Sequence, residues 1–443
     1  MVMRFETYKS MILCLLVLIS VGLTYSIWAY QPNLKPVDQS EFIQVSIKNK
    51  QPLGSIVKPM EIIFHKNKQH FVTSNEAELE KVMKEITNWS FTQFSDVSDR
   101  VSEQEYLNFV HGEGKTEIIF PERVPLHLYN SVLAIEEQNL PRGSFDRIVF
   151  NSKNVHDKTM PVYFISYADR KIYQSRVNSS SLDNFSRNFY RFASALYEDK
   201  TYKKHVISKN RAVFLPDEKI EVPRYNYKTS VLDIDKFKDA LFSDPNYVEH
   251  DPVTTGEVYM DGYSVLSIYW DTMTLNYVNH TNETNFAGST AELLRKSIDF
   301  VNQHAGWEDK YRFAGFNSLD EKITFRLFVD GLPVFNESGM SEIVQYWGKD
   351  DVYQYSRPFY TLDFLMPSEL TKAKMASGEE VLQELNAIKN IKMDLVQDIR
   401  IGYELKRDTE VLVSLEPAWY YRYAGVWKRV PSGKPGGDII GLE

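Results

Sequence analysis

The chain holds a single cysteine in 443 residues, Cys14, and it lies in an apolar run near the amino terminus. Everything after that run is therefore without a disulfide, a thiol nucleophile or a cysteine-based zinc site. Catalytic signatures are missing too: the sequence contains no H-E-x-x-H, no G-x-S-x-G and no EF-hand loop. Gly114-Lys115-Thr116 resembles the end of a phosphate-binding loop, but the glycine needed five residues earlier is Phe109. Positive charge is in deficit. The formal net charge is −9, and residues 1–35 contribute +2 (Arg4, Lys9 and Lys35 against Glu6), which leaves −11 for the remainder. An acidic body of this kind is repelled by nucleic acid, anionic lipid headgroups and anionic wall polymers. It favours a protein partner or a neutral ligand.

Long hydrophobic runs are also absent, with one exception. Residues 10–34 carry no charge, and Met11 to Tyr30 reads MILCLLVLISVGLTYSIWAY. A bilayer core of ~30 Å needs about 20 apolar residues in helical form. Arg4 and Lys9 precede the run, so the positive-inside rule orients it with the amino terminus in the cytoplasm and the bulk of the chain outside. The alternative is a cleaved signal peptide. Its apolar core would be shorter and would end at a small-residue site, whereas here Tyr25, Trp28 and Tyr30 form an interfacial belt. The expected organisation is a cytoplasmic stub (1–9), a transmembrane helix (10–30) and a tether (31–50), followed by three extracytoplasmic domains (51–205, 206–305 and 306–431) and a glycine-rich tail (432–443). Along the membrane helix Ser10, Cys14, Gly22, Ser26 and Ala29 fall on one i, i+4 stripe broken only by Leu18. Small residues on one face let helix backbones approach, which makes these five the candidate partner-helix interface.

The expected fold class is α+β. In the first half the pattern predicts a strand over Ser55–His65, a helix from Glu76 to about Trp89 capped by Asn75, and a hairpin over 161–177 with its turn at Ala168-Asp169-Arg170. A long helix is expected from Leu182 to about Glu198, with Phe185, Phe189, Phe192 and Leu196 facing the core. The second half repeats a helix followed by an antiparallel meander: helices at 234–242, 291–301 and 379–388, a hairpin turn at Asp261-Gly262, and strands at 311–316, 322–329, 395–405, 410–415 and 419–427. Tyr311 aligns with Ile399 and Lys322 with Glu410 at a spacing of 88, and Pro333-Val334-Phe335 answers Pro417-Ala418-Trp419. Such units bury their sheets only by packing in tandem.

One catalytic constellation has to be weighed. Ser55-Ile-Val-Lys58, Ser152-Lys-Asn154 and Lys228-Thr-Ser230 occur in the order used by penicillin-binding acyl transferases. That chemistry needs Ser and Lys one helical turn apart, and Pro59 pushes Lys58 into an extended conformation. Of the nine histidines only His65 and His70 are close in sequence, with no third ligand beside them. No catalytic residue, metal or cofactor is expected.

Several segments carry a family resemblance: Leu23–Pro32 (LTYSIWAYQP), Val57–His65 (VKPMEIIFH), Phe145–Phe150 (FDRIVF), Tyr259–Gly262 (YMDG), Arg326–Phe335 (RLFVDGLPVF) and Glu416–Trp427 (EPAWYYRYAGVW). In this order they resemble the YycH (WalH) family of low-GC Gram-positive bacteria. The resemblance implies a non-catalytic, single-pass cell-membrane protein acting with a YycI-like partner on the WalK (YycG) sensor histidine kinase, which controls cell-wall metabolism, through transmembrane-helix contacts. It also implies three ectodomains of which the last two are alike, and no functional residues to carry over. Whether the kinase is restrained or activated stays open. The other readings are a wall-ligand or peptide-binding module, which calls for a deep apolar pocket lined by Tyr and Trp, and the acyl transferase.

Overall fold

Strict alternation of side chains builds the first sheet. In the strand Ser144–Asn151, Ile148 and Phe150 face one core while Val149 faces another, and in Thr159–Ser166 Phe164 and Ile165 divide in the same way. Such strands are buried on both faces, so they read as nearly unbroken apolar runs. The computed structural model describes residues 13, 15–24 and 50–431, apart from 138, 154–156, 198–200, 283–287 and 367–370. The chain divides into two units, 1–43 and 44–443. In the first, residues 13 and 15–24 are helical and their large apolar side chains are exposed. The Thr24 hydroxyl donates to the Ser20 carbonyl (2.9 Å), which satisfies it within the helix. Among the described residues no helix is long and apolar enough to cross a membrane. The expected span 10–30 lies partly outside the described residues, as do the stub 1–9, the tether up to residue 49 and the tail 432–443.

The second unit opens with ten strands: β1 (Glu61–Lys66), β2 (Gln69–Thr73), β3 (Ser90–Asp96), β4 (Lys115–Pro125), β5 (Ala134–Ile135), β6 (Ser144–Asn151), β7 (Thr159–Ser166), β8 (Lys171–Asn178), β9 (Thr201–Ser208) and β10 (Arg211–Pro216). They form one sheet in the order β10-β9-β2-β1-β4-β6-β7-β8-β3-β5. On its first face lie the helices Glu76–Thr87 and Ser179–Asn188, which bury Leu79, Val82, Ile86, Leu182 and Phe185. Asn75 caps the former as expected, its side chain accepting from the Glu78 amide. On the second face lies the helix Glu103–His111, with Tyr106 and Val110 against Val149, Ile165 and Ile172.

Two expectations for this half are altered. Ser55 belongs to a helical turn, Leu53–Ile56, and the strand starts only at Glu61. The helix expected over 182–198 breaks at Phe189, resumes as a 3-10 turn at Tyr190–Phe192, and leaves Phe192 and Leu196 exposed. No proline or glycine marks the break. It delivers the Tyr190 hydroxyl to the His65 carbonyl (2.9 Å), a tertiary contact that overrides local periodicity.

Among the described residues, the strands from Tyr225 onward, other than Lys372–Lys374, which pairs separately with Glu221–Pro223, form a second, fourteen-stranded sheet that runs without interruption through the expected junction at 305/306. Strands Tyr311–Asn317 and Lys322–Val329 pair antiparallel, as do Val396–Arg407 and Leu412–Tyr423. Each second strand then reverses through a turn with two positive φ angles, Asp330-Gly331 (49° and 78°) and Ala424-Gly425 (50° and 82°). Pro333-Val334-Phe335 does not answer Pro417-Ala418-Trp419 as expected, because Pro333 follows its turn on Leu332–Phe335 and Pro417 precedes its turn within Leu412–Tyr423. The two copies join through a parallel pairing, Val334 opposite Tyr403. The expected strand 410–415 and the first part of 419–427 are one strand, Leu412–Tyr423, despite Pro417, while the turn at Ala424-Gly425 puts Val426 and Trp427 on the next strand, Val426–Arg429. Pro417 pairs Tyr403 on one side, and on the other it falls between two partner segments, one ending opposite Leu415 and one starting opposite Tyr420. The missing N–H therefore costs no ladder bond.

The two sheets are tied by residues far apart in sequence. Arg312 donates to the Pro59 carbonyl (3.0 Å), Lys310 meets Glu76 (2.6 Å), Arg422 meets Glu122 (2.9 Å), and Asn302 and Gln51 exchange two hydrogen bonds. Phe328 from the second sheet inserts among Met60, Ile63, Val72 and Ile119 on the second face of the first.

Candidate functional site

Of the five residues expected to form a partner-helix face, only Gly22 lies among the described residues. It is helical and exposed, and a Cβ built there would meet nothing within 4 Å. Ser10, Cys14, Ser26 and Ala29 lie outside the described residues.

The penicillin-binding constellation is not assembled. The Ser55 hydroxyl bonds Gln51 (3.0 Å) and the Pro52 carbonyl (2.7 Å), while the Lys58 ammonium meets Glu80 (3.2 Å). Ser152 is buried against the Thr116 hydroxyl (2.7 Å), and Lys228 stands in a strand of the other sheet.

Polar side chains converge elsewhere, on the second face of the first sheet. His65 shares the face of Ile63 on β1, and register places Glu117 of β4 opposite Ile63 and Val149 of β6 opposite Glu117. Arg147 lies two residues along β6 on the same face, and His111 ends the helix that packs over it. His70 pairs directly with His65 across the β1–β2 hairpin. The resulting contacts are continuous. Glu117 Oε1 takes hydrogen bonds from His65 Nε2 (2.6 Å) and from His111 Nδ1, and Glu117 Oε2 accepts from Arg147 (2.8 Å). The outward ring nitrogens are also engaged, His65 Nδ1 with His70 Nδ1 (2.7 Å) and His111 Nε2 with the Tyr167 hydroxyl (2.7 Å). Tyr167 in turn accepts from the Ala212 amide (2.8 Å). His65, His111 and Glu117 are 1%, 4% and 0% exposed, so an unmatched charge here would be costly.

Neutral imidazoles resolve the electrostatics. Burial lowers His111 to about 4 and His70 to about 4, in each case because the imidazolium would lose its hydration. Burial alone would raise Glu117, but the hydrogen bonds it receives from His111 and His65 outweigh that and hold it well below the ordinary range. Arg147 also loses hydration, and its neighbours Asp146 and Glu117 more than compensate, raising its value. The cluster thus sets the neutral rings of His111 and His70 beside one carboxylate and one guanidinium.

Beside the cluster, between the two sheets, lies a partly open cavity of about 250 Å³. Arg147, Ala212 and Phe214 belong to its wall, and Tyr202, Tyr403 and Trp419 line it further. It also carries Glu61, Asp398 and Arg400, so it is not the deep apolar pocket that the ligand-binding reading calls for. Burial raises the Glu61 carboxyl, opposed by the Arg400 guanidinium. A carboxyl raised on folding contributes nothing below its unfolded value, disfavours the folded state increasingly as the pH climbs from the unfolded to the folded value, and exerts its full penalty above the latter. Glu61→Gln is therefore expected to raise the thermal midpoint at neutral pH and to leave it unchanged in acid. A loss of stability at neutral pH would contradict this reading.

The sequence analysis missed the cluster because His111 and Glu117 lie 46 and 52 residues beyond His65 and share no motif with it. The available signal was a histidine and a glutamate within apolar, doubly buried strands, EIIFHK and KTEIIF.

Comparisons with known proteins agree with one another. The family described as YycH protein, N-terminal domain, matches residues 6–194, and YycH protein, C-terminal domain, matches residues 210–437. A Bacillus subtilis (strain 168) protein described as two-component system WalR/WalK regulatory protein YycH is 26% identical over 461 residues, which covers 100% of this chain and 98% of that protein. The crystal structure of YycH from Bacillus subtilis superposes with a TM-score of 0.75 at 23% identity, covering 87% of this chain and 98% of that one. The latter shares the fold.

Proposed function

Because the chain belongs to the YycH family, we propose that it is a non-catalytic, membrane-anchored regulator of a WalK-type sensor histidine kinase, acting with a YycI-like bitopic partner. The observation that carries this reading is the end-to-end similarity to a relative described as a two-component regulatory protein. The uncharged run 10–34 supplies the anchor, with the amino terminus in the cytoplasm and residues 31–443 outside. The stripe Ser10, Cys14, Gly22, Ser26 and Ala29 is the face that meets partner helices. A sensor kinase moves between signalling conformations, and a bound helix biases them only through a difference in contact free energy. About 1.4 kcal/mol of difference changes the ratio tenfold, which one or two well-packed membrane-helix contacts supply.

The test is co-purification of the tagged full chain from native membranes in mild detergent, beside a version whose residues 11–30 are replaced by an unrelated membrane helix. A sensor kinase and a second bitopic protein are expected with the native helix and not with the foreign one. Their persistence with the foreign helix would move the contact to the acidic ectodomain. Absence of a kinase from both samples would overturn the proposal and favour the wall-ligand reading.

A further inference from the structure

We propose that His65, His111 and Glu117 form a binding site for one divalent cation of the zinc class. Their facing atoms, two imidazole nitrogens and one carboxylate oxygen, all lie within 4.8 Å of one another, and all three side chains are buried. Two histidines and a glutamate suit zinc and its borderline neighbours, which accept four-coordinate sites of nitrogen and oxygen donors. Calcium and magnesium demand more oxygens than this site offers.

The surroundings are those of a metal site as well. A coordinating histidine needs a partner on its other nitrogen to hold the ring and fix the tautomer. Here His65 Nδ1 faces His70 Nδ1 (2.7 Å) and His111 Nε2 faces the Tyr167 hydroxyl (2.7 Å). The free oxygen of Glu117 is held by Arg147 (2.8 Å), leaving Oε1 for the cation. Three elements, β1, β4 and the helix Glu103–His111, each supply one ligand, so an ion would pin the helix to the sheet. The cavity between the sheets reaches Arg147, Ala212 and Phe214 next to the cluster, and this is the side of entry.

Proton positions balance on binding. Without metal, His65 Nε2–H and His111 Nδ1–H both point at Glu117 Oε1. An ion in that space takes the place of these two protons, and each ring carries its proton on the opposite nitrogen instead. His111 then donates to the Tyr167 hydroxyl, whose own hydrogen turns toward the Ala212 carbonyl (3.5 Å). His65 Nδ1 then donates to His70 Nδ1 (2.7 Å), and the proton that His70 Nδ1 gives to that contact in the metal-free state moves to His70 Nε2. No proton leaves the protein and no redox step is involved.

The test uses the full chain in detergent, purified on a tag without histidine and stripped with EDTA. Equilibrium dialysis against Zn²⁺ is expected to show one tightly held ion per chain, and Co²⁺ in its place is expected to give the intense visible bands of four-coordinate cobalt. The double variant His65→Gln/His111→Gln, which retains a hydrogen-bond donor at each position, is expected to lose the tight ion and the bands. Tyr167→Phe leaves every ligand in place and is expected to weaken binding by about 10–100-fold. Should the double variant fail to fold by circular dichroism, Co²⁺ with the unaltered chain decides. Absence of those bands, absence of a tight ion, or tight binding that survives in the folded double variant would each overturn the proposal.

Discussion

Replacing Glu117 by leucine is expected to destabilise the metal-free chain by about 3–5 kcal/mol, the range for breaking a buried ion pair from one side. The carboxylate is fully buried and accepts three hydrogen bonds, from His65, His111 and Arg147. Leucine has a similar volume, so cavity formation is a minor part of the loss. The larger part is the orphaning of donors. Arg147 retains Asp146 (3.2 Å) and the face of the Tyr167 ring (3.6 Å from its centroid), but two imidazole N–H groups lose their only acceptor. Each unsatisfied buried donor costs about 1–3 kcal/mol. The double variant Glu117→Leu/Arg147→Met is expected to recover part of the loss, because replacing both halves of a buried pair by apolar groups is often close to neutral. The check is urea unfolding of the EDTA-treated chain followed by tryptophan fluorescence. A single-variant loss below about 1 kcal/mol, or a double variant less stable than the single, would show that the network holds little of the stability assigned to it.

The contrast between what was legible in the sequence and what was not follows from the range of the interactions. The Asn75 cap, the Asp261-Gly262 turn and the helices near 291–301 and 379–388 depend on residues within a few positions of each other, and each occurs close to where periodicity places it. The family was legible for another reason: its short segments occur in order along the whole chain, although each is weak alone. The break at Phe189 was not legible because its cause is the distant His65 carbonyl, and the continuous strand Leu412–Tyr423 because its proline is excused only by where neighbouring strands end. The buried cluster is the extreme case. Its members come from two strand pairs and a helix end, and only the finished sheet brings them within hydrogen-bond distance.

The second large effect is expected at the seam between the sheets, at Gly331. Its φ is 78°, and a Cβ built there would lie 1.9 Å from the Ser74 carbonyl oxygen, a backbone atom that no rotamer change can move. Ser74 directly precedes Asn75, the cap of the helix whose Glu76 receives Lys310, and Asp330 beside the glycine accepts from Tyr225 (3.0 Å). Relief of the clash therefore has to come from moving the whole Asp330-Gly331 turn away from the first sheet, which loosens the insertion of Phe328 as well. Gly339 separates the two contributions. Its φ is also 78°, but a Cβ there would meet nothing within 4 Å. Gly339→Ala is expected to show only the cost of a left-handed residue, roughly 1–2 kcal/mol. Gly331→Ala should exceed about 3 kcal/mol, in the tail of single-substitution effects where strain and lost packing combine. It should also expose Phe328, Met60 and Ile63, which are buried at the seam, so that the variant binds a hydrophobic dye under native conditions while Gly339→Ala does not. Equal losses for the two variants, with no dye binding by either, would mean that the seam yields without cost. The sheets would then be joined mainly by the apolar insertion around Ile63 and Ile119 and by the long-range ion pairs, with the turn a bystander.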